Sequence, residues 1–159
     1  MNATLIAVGK LREKPYRAMA DEYLKRLTRY GRFREVELPD LAEPDSGSAA
    51  LEEQVRRREG EAILKAIRPG DHVIALTIPG KSWDSPALAR HLDELSLRVP
   101  GEKVFVIGGS LGLSPEVIAR ADEELSMSPM TFPHQLARVM LLEQLYRCAR
   151  ISAGERYHK

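Results

Sequence analysis

The sequence predicts an α/β fold in which helices cover both faces of a parallel sheet. Three observations carry this expectation. Short β-rich runs alternate with helical stretches along the chain, several of those runs are apolar at every position, and no repeat or low-complexity segment interrupts them. At 159 residues the chain is expected to form a single domain, 1–159.

Thr4 to Val8 is an apolar run closed by Gly9 and reads as a buried opening strand. From about Lys14 to Tyr30, Tyr16, Met19, Ala20, Tyr23, Leu24 and Leu27 recur at helical spacing, opposite Arg17, Asp21, Glu22, Lys25 and Arg26. Phe33 to Leu38 alternates as a strand does and stops at Pro39. Leu41 to Ser48, with Pro44 and a Ser-Gly-Ser run, reads as a mobile loop. A helix from about Ala49 to Ile67 carries Leu51, Val55, Ile63 and Leu64 and ends at Pro69-Gly70.

His72 to Ile78 is a central strand by the same reasoning. Asp84-Ser-Pro86 caps the next helix, whose buried side is Leu88, Leu92, Leu95 and Leu97. Lys103 to Ile107 is another buried strand and runs into Gly108-Gly-Ser-Leu-Gly112. Ser114-Pro115-Glu116 starts a short helix to about Asp122, and a brief Leu125-Ser-Met segment leads to Pro129 and Pro133. A last helix spans about Gln135 to Ser152.

Composition narrows the function. Hydrophobic residues make up 43% and charged residues 30%, as in a soluble globular chain. The single cysteine, Cys148, excludes an internal disulfide framework and any multi-cysteine metal cluster, and the four histidines have no metal spacing. His72 and His91 read as structural or exposed. The N-terminus lacks a basic leader, and no apolar stretch approaches the ~20 residues that cross a bilayer, so a cytoplasmic location and no membrane partner are expected. With 24 Lys+Arg against 23 Asp+Glu, the net charge of +1 lacks the usual signature of a nucleic-acid binder.

Five segments bear on chemistry. Gly80-Lys81-Ser82 has the end of a phosphate loop, but the first glycine of that motif falls on Ala75; a strand-to-helix turn is the better reading. Ile107 to Gly112 follows a strand and precedes a helix without dinucleotide spacing, so it is either a tight βα turn or a place where backbone approaches a ligand. Ser126 to His134 combines two prolines with the apolar Met127, Met130 and Phe132; it is either a connecting loop packed on the core or a stiff platform for an adenine-sized ligand. In the last helix, at about 100° per residue, Arg138 falls among Leu142, Leu145 and Ala149. A buried guanidinium there must find an anion, a carbonyl or a partner chain, unless it snorkels from the first turn. The wide apolar wrap of the same helix (Val139, Met140, Leu141, Leu142, Leu145, Cys148) points to a subunit interface. The tail, Gly154 to Lys159, combines cations, an aromatic ring and an imidazole suited to stacking on a base and holding its phosphate.

Taken in order, Ala7-Val-Gly-Lys10, Glu59-Gly60, Ile78-Pro-Gly-Lys81, Phe105-Val-Ile-Gly-Gly109 with Gly112-Leu113, Met130-Thr-Phe-Pro-His134, Arg138-Val139, Glu143-Gln-Leu-Tyr-Arg147 and Tyr157-His-Lys159 resemble the small bacterial SPOUT-superfamily methyltransferases of large-subunit ribosomal RNA. The likeness runs nearly end to end. Ser110-Leu111 departs from the Pro-Glu that some members carry between the glycines, so no acid is expected in that turn.

The resemblance implies a parallel-sheet SPOUT fold with a C-terminal trefoil knot, a rare exception to unknotted topology. It implies S-adenosyl-L-methionine as methyl donor, held by Leu76, Gly108, Gly109, Met127, Ser128, Pro129, Met130, Thr131 and Phe132. The implied reaction is methylation of N3 of a pseudouridine in the helix-69 hairpin of 23S rRNA on the assembled 70S ribosome, with no metal. Arg138 and His158 are the expected catalytic groups, and Arg156, Tyr157 and Lys159 the RNA contacts. Family members work as homodimers with a composite site, one subunit's tail completing the other's cavity. The alternatives are a non-catalytic ribosome-associated module of the same fold and a nucleotide-binding protein using Gly80-Lys81-Ser82.

Overall fold

A computed structural model describes residues 1–45 and 47–157. Five strands and five helices alternate: β1 (Ala3–Val8), α1 (Lys14–Leu27), β2 (Phe33–Leu38), α2 (Ala49–Ala66), β3 (His72–Ser82), α3 (Ser85–Arg98), β4 (Lys103–Ile107), α4 (Pro115–Arg120), β5 (Glu123–Ser126) and α5 (His134–Ser152). The strands form one sheet in the order β2-β1-β4-β3-β5, and every pairing is parallel. The expected α/β architecture is therefore the observed one.

Side-chain alternation explains why the central runs are apolar throughout. Leu5, Ala7, Ile74, Phe105 and Ile107 point to the face covered by α1, α3 and α5. Ile6, Val8, Val73, Val104 and Val106 point to the opposite face, against Ile63 of α2 and Val117 of α4. A strand buried on both sides has no polar positions to spare. Local signals set the helix starts: Asp84 Oδ1 accepts from the Ala87 N–H at 2.7 Å, and Ser114 Oγ from the Val117 N–H at 3.4 Å. Pro86 and Pro115 occupy the first turns, where a missing N–H is harmless.

Leu97, expected on the buried side of α3, is 89% exposed, past the helix's last buried position at Leu95. Two further expectations need correction. Gly80-Lys81-Ser82 is not a turn; β3 continues through it to Ser82, past the expected end at Ile78. Pro79 is tolerated because the pairing with β5 jumps from Leu76 to Lys81, leaving Thr77 to Gly80 as a bulge that owes the ladder no N–H. The second correction concerns α5. It lies between α1 and α3, and Val139, Leu141, Leu142, Leu145 and Cys148 are all buried within the one chain. Its wide apolar wrap is thus explained by two helical neighbours plus the sheet, and does not of itself call for a second subunit.

Candidate functional site

The carboxyl ends of β3, β4 and β5 converge on one cavity of about 1120 Å³. Its walls come from three segments separated by up to fifty residues of sequence: Leu76 to Pro79, Ile107 to Leu113, and Met127 to His134 excluding Pro129. Ligands of open α/β sheets bind in this position because strand ends and helix starts leave backbone groups unpaired there. The strand end, the glycine turn and the stiff loop, ambiguous one by one, are one surface.

Leu76, Gly108, Gly109, Met127, Ser128, Met130, Thr131 and Phe132 line the cavity, as expected; Pro129 shares their loop without contributing to the wall. The glycines are there for steric reasons. A Cβ on Gly108 would stand 2.7 Å from the carbonyl carbon of Gly112, so the turn closes only without one. Gly112 adopts φ +80°, a left-handed conformation that favours glycine. Within the third segment, Ser128 Oγ accepts from the Met130 N–H at 3.0 Å, and its carbonyl accepts from Ser126 Oγ at 3.2 Å. These bonds fix a loop that has no regular secondary structure. Ile78 and Met130 remain exposed at the mouth, at 52% and 70%.

Arg138 lies just beyond the cavity, one helical position past its last lining residue, Ala137. It is fully buried. Its Nη1 donates to Glu37 Oε1 at 2.7 Å and Glu35 Oε1 at 3.3 Å, and its Nη2 to the Gly9 carbonyl at 2.7 Å. Both the anion and the carbonyl demanded by a buried guanidinium are therefore present in the chain itself. Arg17 joins the same carboxylates, reaching Glu35 at 2.7 Å and Glu37 at 3.3 Å. In the single chain Arg138 thus ties α5 to the carboxyl ends of β1 and β2 and is not directed at the cavity.

The described part of the tail, Gly154 to Tyr157, is not brought to the cavity of its own chain. Tyr157 packs edge-on against Tyr146 with ring centroids 5.1 Å apart, under Arg147, and donates its hydroxyl to Glu143 at 3.2 Å. Burial pushes that phenol above its ordinary value. Arg156 is exposed. At about 1.5 Å per helical residue, the far end of α5 at Ser152 stands roughly 22 Å from Ala137 at the cavity. His158 and Lys159, expected in catalysis and RNA binding, lie outside the described residues.

Two acids were given no role by the sequence. Glu59 on α2 is 5% exposed and sits behind the Gly108-Gly109 turn. Its Oε1 accepts from the Leu41 N–H at 3.0 Å, while buried Oε2 has no partner among the described residues and lies 3.1 Å from where a Gly109 Cβ would stand. Desolvation pushes its carboxyl above the usual range. A signal existed: Glu59 falls on the stripe Val55, Glu59, Ile63, an acid at an apolar helical position. Glu124 on β5 lines the cavity, and its Oε2 accepts from Thr77 Oγ1 at 2.8 Å. Its predecessor Glu123 points to the other face, where it holds both His72 and His91. Those two histidines are structural.

Among the described residues no group of three or more His, Cys, Asp or Glu is placed to hold a metal, and no helix is long and apolar enough to cross a membrane.

Residues 1–158 match the family described as "Predicted SPOUT methyltransferase". The chain is 52% identical over 159 residues, all of both chains, to a protein of Alkaliphilus oremlandii named ribosomal RNA large subunit methyltransferase H. It is 50% identical over 155 residues to a protein of the same name from Desulfitobacterium hafniense, covering 98% of this chain and 97% of that one. Among solved structures, a probable methylase family protein of Haemophilus influenzae superposes with a TM-score of 0.55 at 14% identity, over 99% of this chain and 70% of that one, a likeness of fold.

Proposed function

The chain belongs to the SPOUT methyltransferase family, and on that premise we propose that it methylates large-subunit ribosomal RNA with S-adenosyl-L-methionine as donor. The finer reading is methylation of N3 of a pseudouridine in helix 69 of 23S rRNA, on the assembled 70S ribosome, in the cytoplasm. The observation that carries it is the convergence of Leu76, the Gly108 turn and the Met127–Phe132 segment on one cavity. The donor set fits the group. Apolar Met127, Met130 and Phe132 suit an adenine ring, while the glycine turn, closed to any Cβ, lets backbone approach a ligand directly. When bound, the donor supplies an electrophilic methyl on a sulfonium, so a metal has no task to perform.

The chain's own residues have three tasks. The first is to hold the donor and the base in line, which falls to the rigid walls of the cavity. The second is to keep those walls in place: Arg138 anchors α5 immediately after the Met127–Pro133 segment, and Glu59 braces the glycine turn from behind. We assign Arg138 to positioning, since its guanidinium is engaged with Glu35, Glu37 and Gly9. The third is to accept the N3 proton, without which that nitrogen is a poor nucleophile; His158, or a water it holds, is the proposed acceptor.

The placement of the tail favours a homodimer. With Tyr157 docked at the far end of α5, the tail can complete the cavity of a partner more readily than its own. Tyr157 would then stack on the base, while Arg156 and Lys159 hold phosphate. The position of α5 beneath the central strands, reached from edge strand β5, is compatible with the trefoil threading we propose for the C-terminal part. Calorimetry with S-adenosylmethionine, S-adenosylhomocysteine and ATP tests the reading. Binding of both sulfur ligands is expected; binding of ATP alone would refute it.

A further inference from the structure

We infer that Glu124 is a specificity residue through which the cavity tells the cationic methyl donor from its neutral demethylated product. The inference rests on the donor proposed above. Three features of the structure support it.

The first is charge. Among the described residues lining the cavity, Glu124 has the one carboxylate, and no Lys or Arg accompanies it there. Neighbouring cations are engaged elsewhere: Arg120 pairs with Asp122 at 3.3 Å, and the ammonium of Lys81, opposite Leu125 in the ladder, stands 3.6 Å from the Trp83 ring centroid. His72 and His91 both bond Glu123 on the opposite face of β5. Alternation along a strand thus sends one acid to a structural task and the next into the cavity.

The second is rigidity. Glu124 pairs in register with Ala75 of β3. The bulge of the same strand runs so close that a Cβ on Gly80 would stand 2.8 Å from the Glu124 carbonyl carbon. The carboxylate is further held by the Thr77 hydroxyl at 2.8 Å. A charge fixed in this way acts on whatever occupies the cavity without first being reoriented.

The third is the chemistry of the ligand pair. At neutral pH S-adenosylmethionine has a carboxylate, an ammonium and a sulfonium, for a net charge of +1. In the transfer the methyl leaves sulfur for N3, the C–S electron pair stays on sulfur as a thioether, and the N3 proton goes to the acceptor. S-adenosylhomocysteine is therefore net neutral: it lacks the transferred methyl and, with it, the charge that Glu124 senses. A fixed carboxylate in the wall stabilises the donor selectively and adds little to the hold on the product, which favours exchange after each turnover.

Titration calorimetry of the full-length wild-type chain and Glu124→Gln, with S-adenosylmethionine, S-adenosylhomocysteine and the cationic analogue sinefungin, tests this. Glutamine keeps the size and an acceptor for Thr77, and an unchanged thermal midpoint verifies folding. We expect Glu124→Gln to weaken the donor and sinefungin roughly three- to tenfold while leaving the product nearly unaffected, as a unit charge acting across a partly solvated cavity would. In the wild type, the donor-to-product affinity ratio should shrink as salt rises. Equal weakening of all three ligands would overturn the inference, because Glu124 would then bind a part they share, and so would no change in any of them. A wild-type chain that binds none of the three overturns the proposed function and this inference with it.

Discussion

Replacing Arg138 with alanine removes the guanidinium that joins the carboxyl ends of β1 and β2 to the second turn of α5. The side chain is 1% exposed and its partners Glu35 and Glu37 are 7% and 25% exposed. Deleting one partner of a buried ion pair costs about 3–5 kcal/mol, because the other charge is left without compensation. Arg17 stays on both carboxylates and Leu11 still donates to Glu37, which places the loss near the lower end, about 3 kcal/mol. For a chain of this length that lowers the thermal midpoint by roughly 6–12 °C. Calorimetric melts of wild type, Arg138→Ala, Glu35→Gln and the double variant supply the measurement. The Arg138 and Glu35 changes should be non-additive by more than about 0.5 kcal/mol, as expected for groups in one network. Arg138→Lys should fall between, because an ammonium lacks the planar fork that spans Glu37 and the Gly9 carbonyl. A loss below about 1 kcal/mol for Arg138→Ala, or strict additivity, would refute the clamp.

Other consequences follow from the same geometry. Gly108→Ala should abolish donor binding by calorimetry, since its Cβ would meet the Gly112 backbone at 2.7 Å; unchanged affinity would show that the turn does not shape the cavity. Mixing a Gly108 variant with a chain lacking its tail should restore part of the methyl transfer if the site is composite, and no restoration would count against a site built from two subunits. Glu59 has a folded-state value pushed above its ordinary 4.5 by desolvation, so it adds stability below that pH and loses it as pH rises through the folded value. Glu59→Gln should therefore gain in thermal midpoint relative to wild type between pH 4.5 and 8, whereas a constant difference would contradict the burial argument. Cys148, 1% exposed and pushed up to about 12 by burial, should resist thiol reagents at pH 8 until the chain unfolds.

Most of the fold was legible because its signals are local. All-apolar runs such as Val104 to Ile107 announce strands covered on both faces, and Asp84 and Ser114 cap helices where the sequence places them. Where reading failed, distant partners decided. Pro79 looked like a strand end, but the register jump to β5, set by residues more than forty positions away, lets the strand pass it. The apolar girth of α5 looked like an interface until α1 and α3 were found on either side of it. Arg138 could be recognised as a buried charge in need of partners, yet nothing in its own helix names Glu35, Glu37 or Gly9. Glu124 was illegible for a related reason: only the sheet's alternation, fixed by pairing with β3, separates its role from that of Glu123.

The central claim, methyl transfer to assembled ribosomes, is tested most directly by incubating the chain with methyl-labelled S-adenosylmethionine and 70S particles, separated 50S subunits or naked 23S rRNA, then digesting the RNA and identifying the labelled nucleoside. A chain with 24 Lys+Arg against 23 Asp+Glu should hold free RNA weakly and depend on the shape of the particle to find its base. Label in N3-methylpseudouridine, strongest with 70S particles, is the expected result. Label in another nucleoside, or none with any of the three substrates while donor binding is intact, would contradict it.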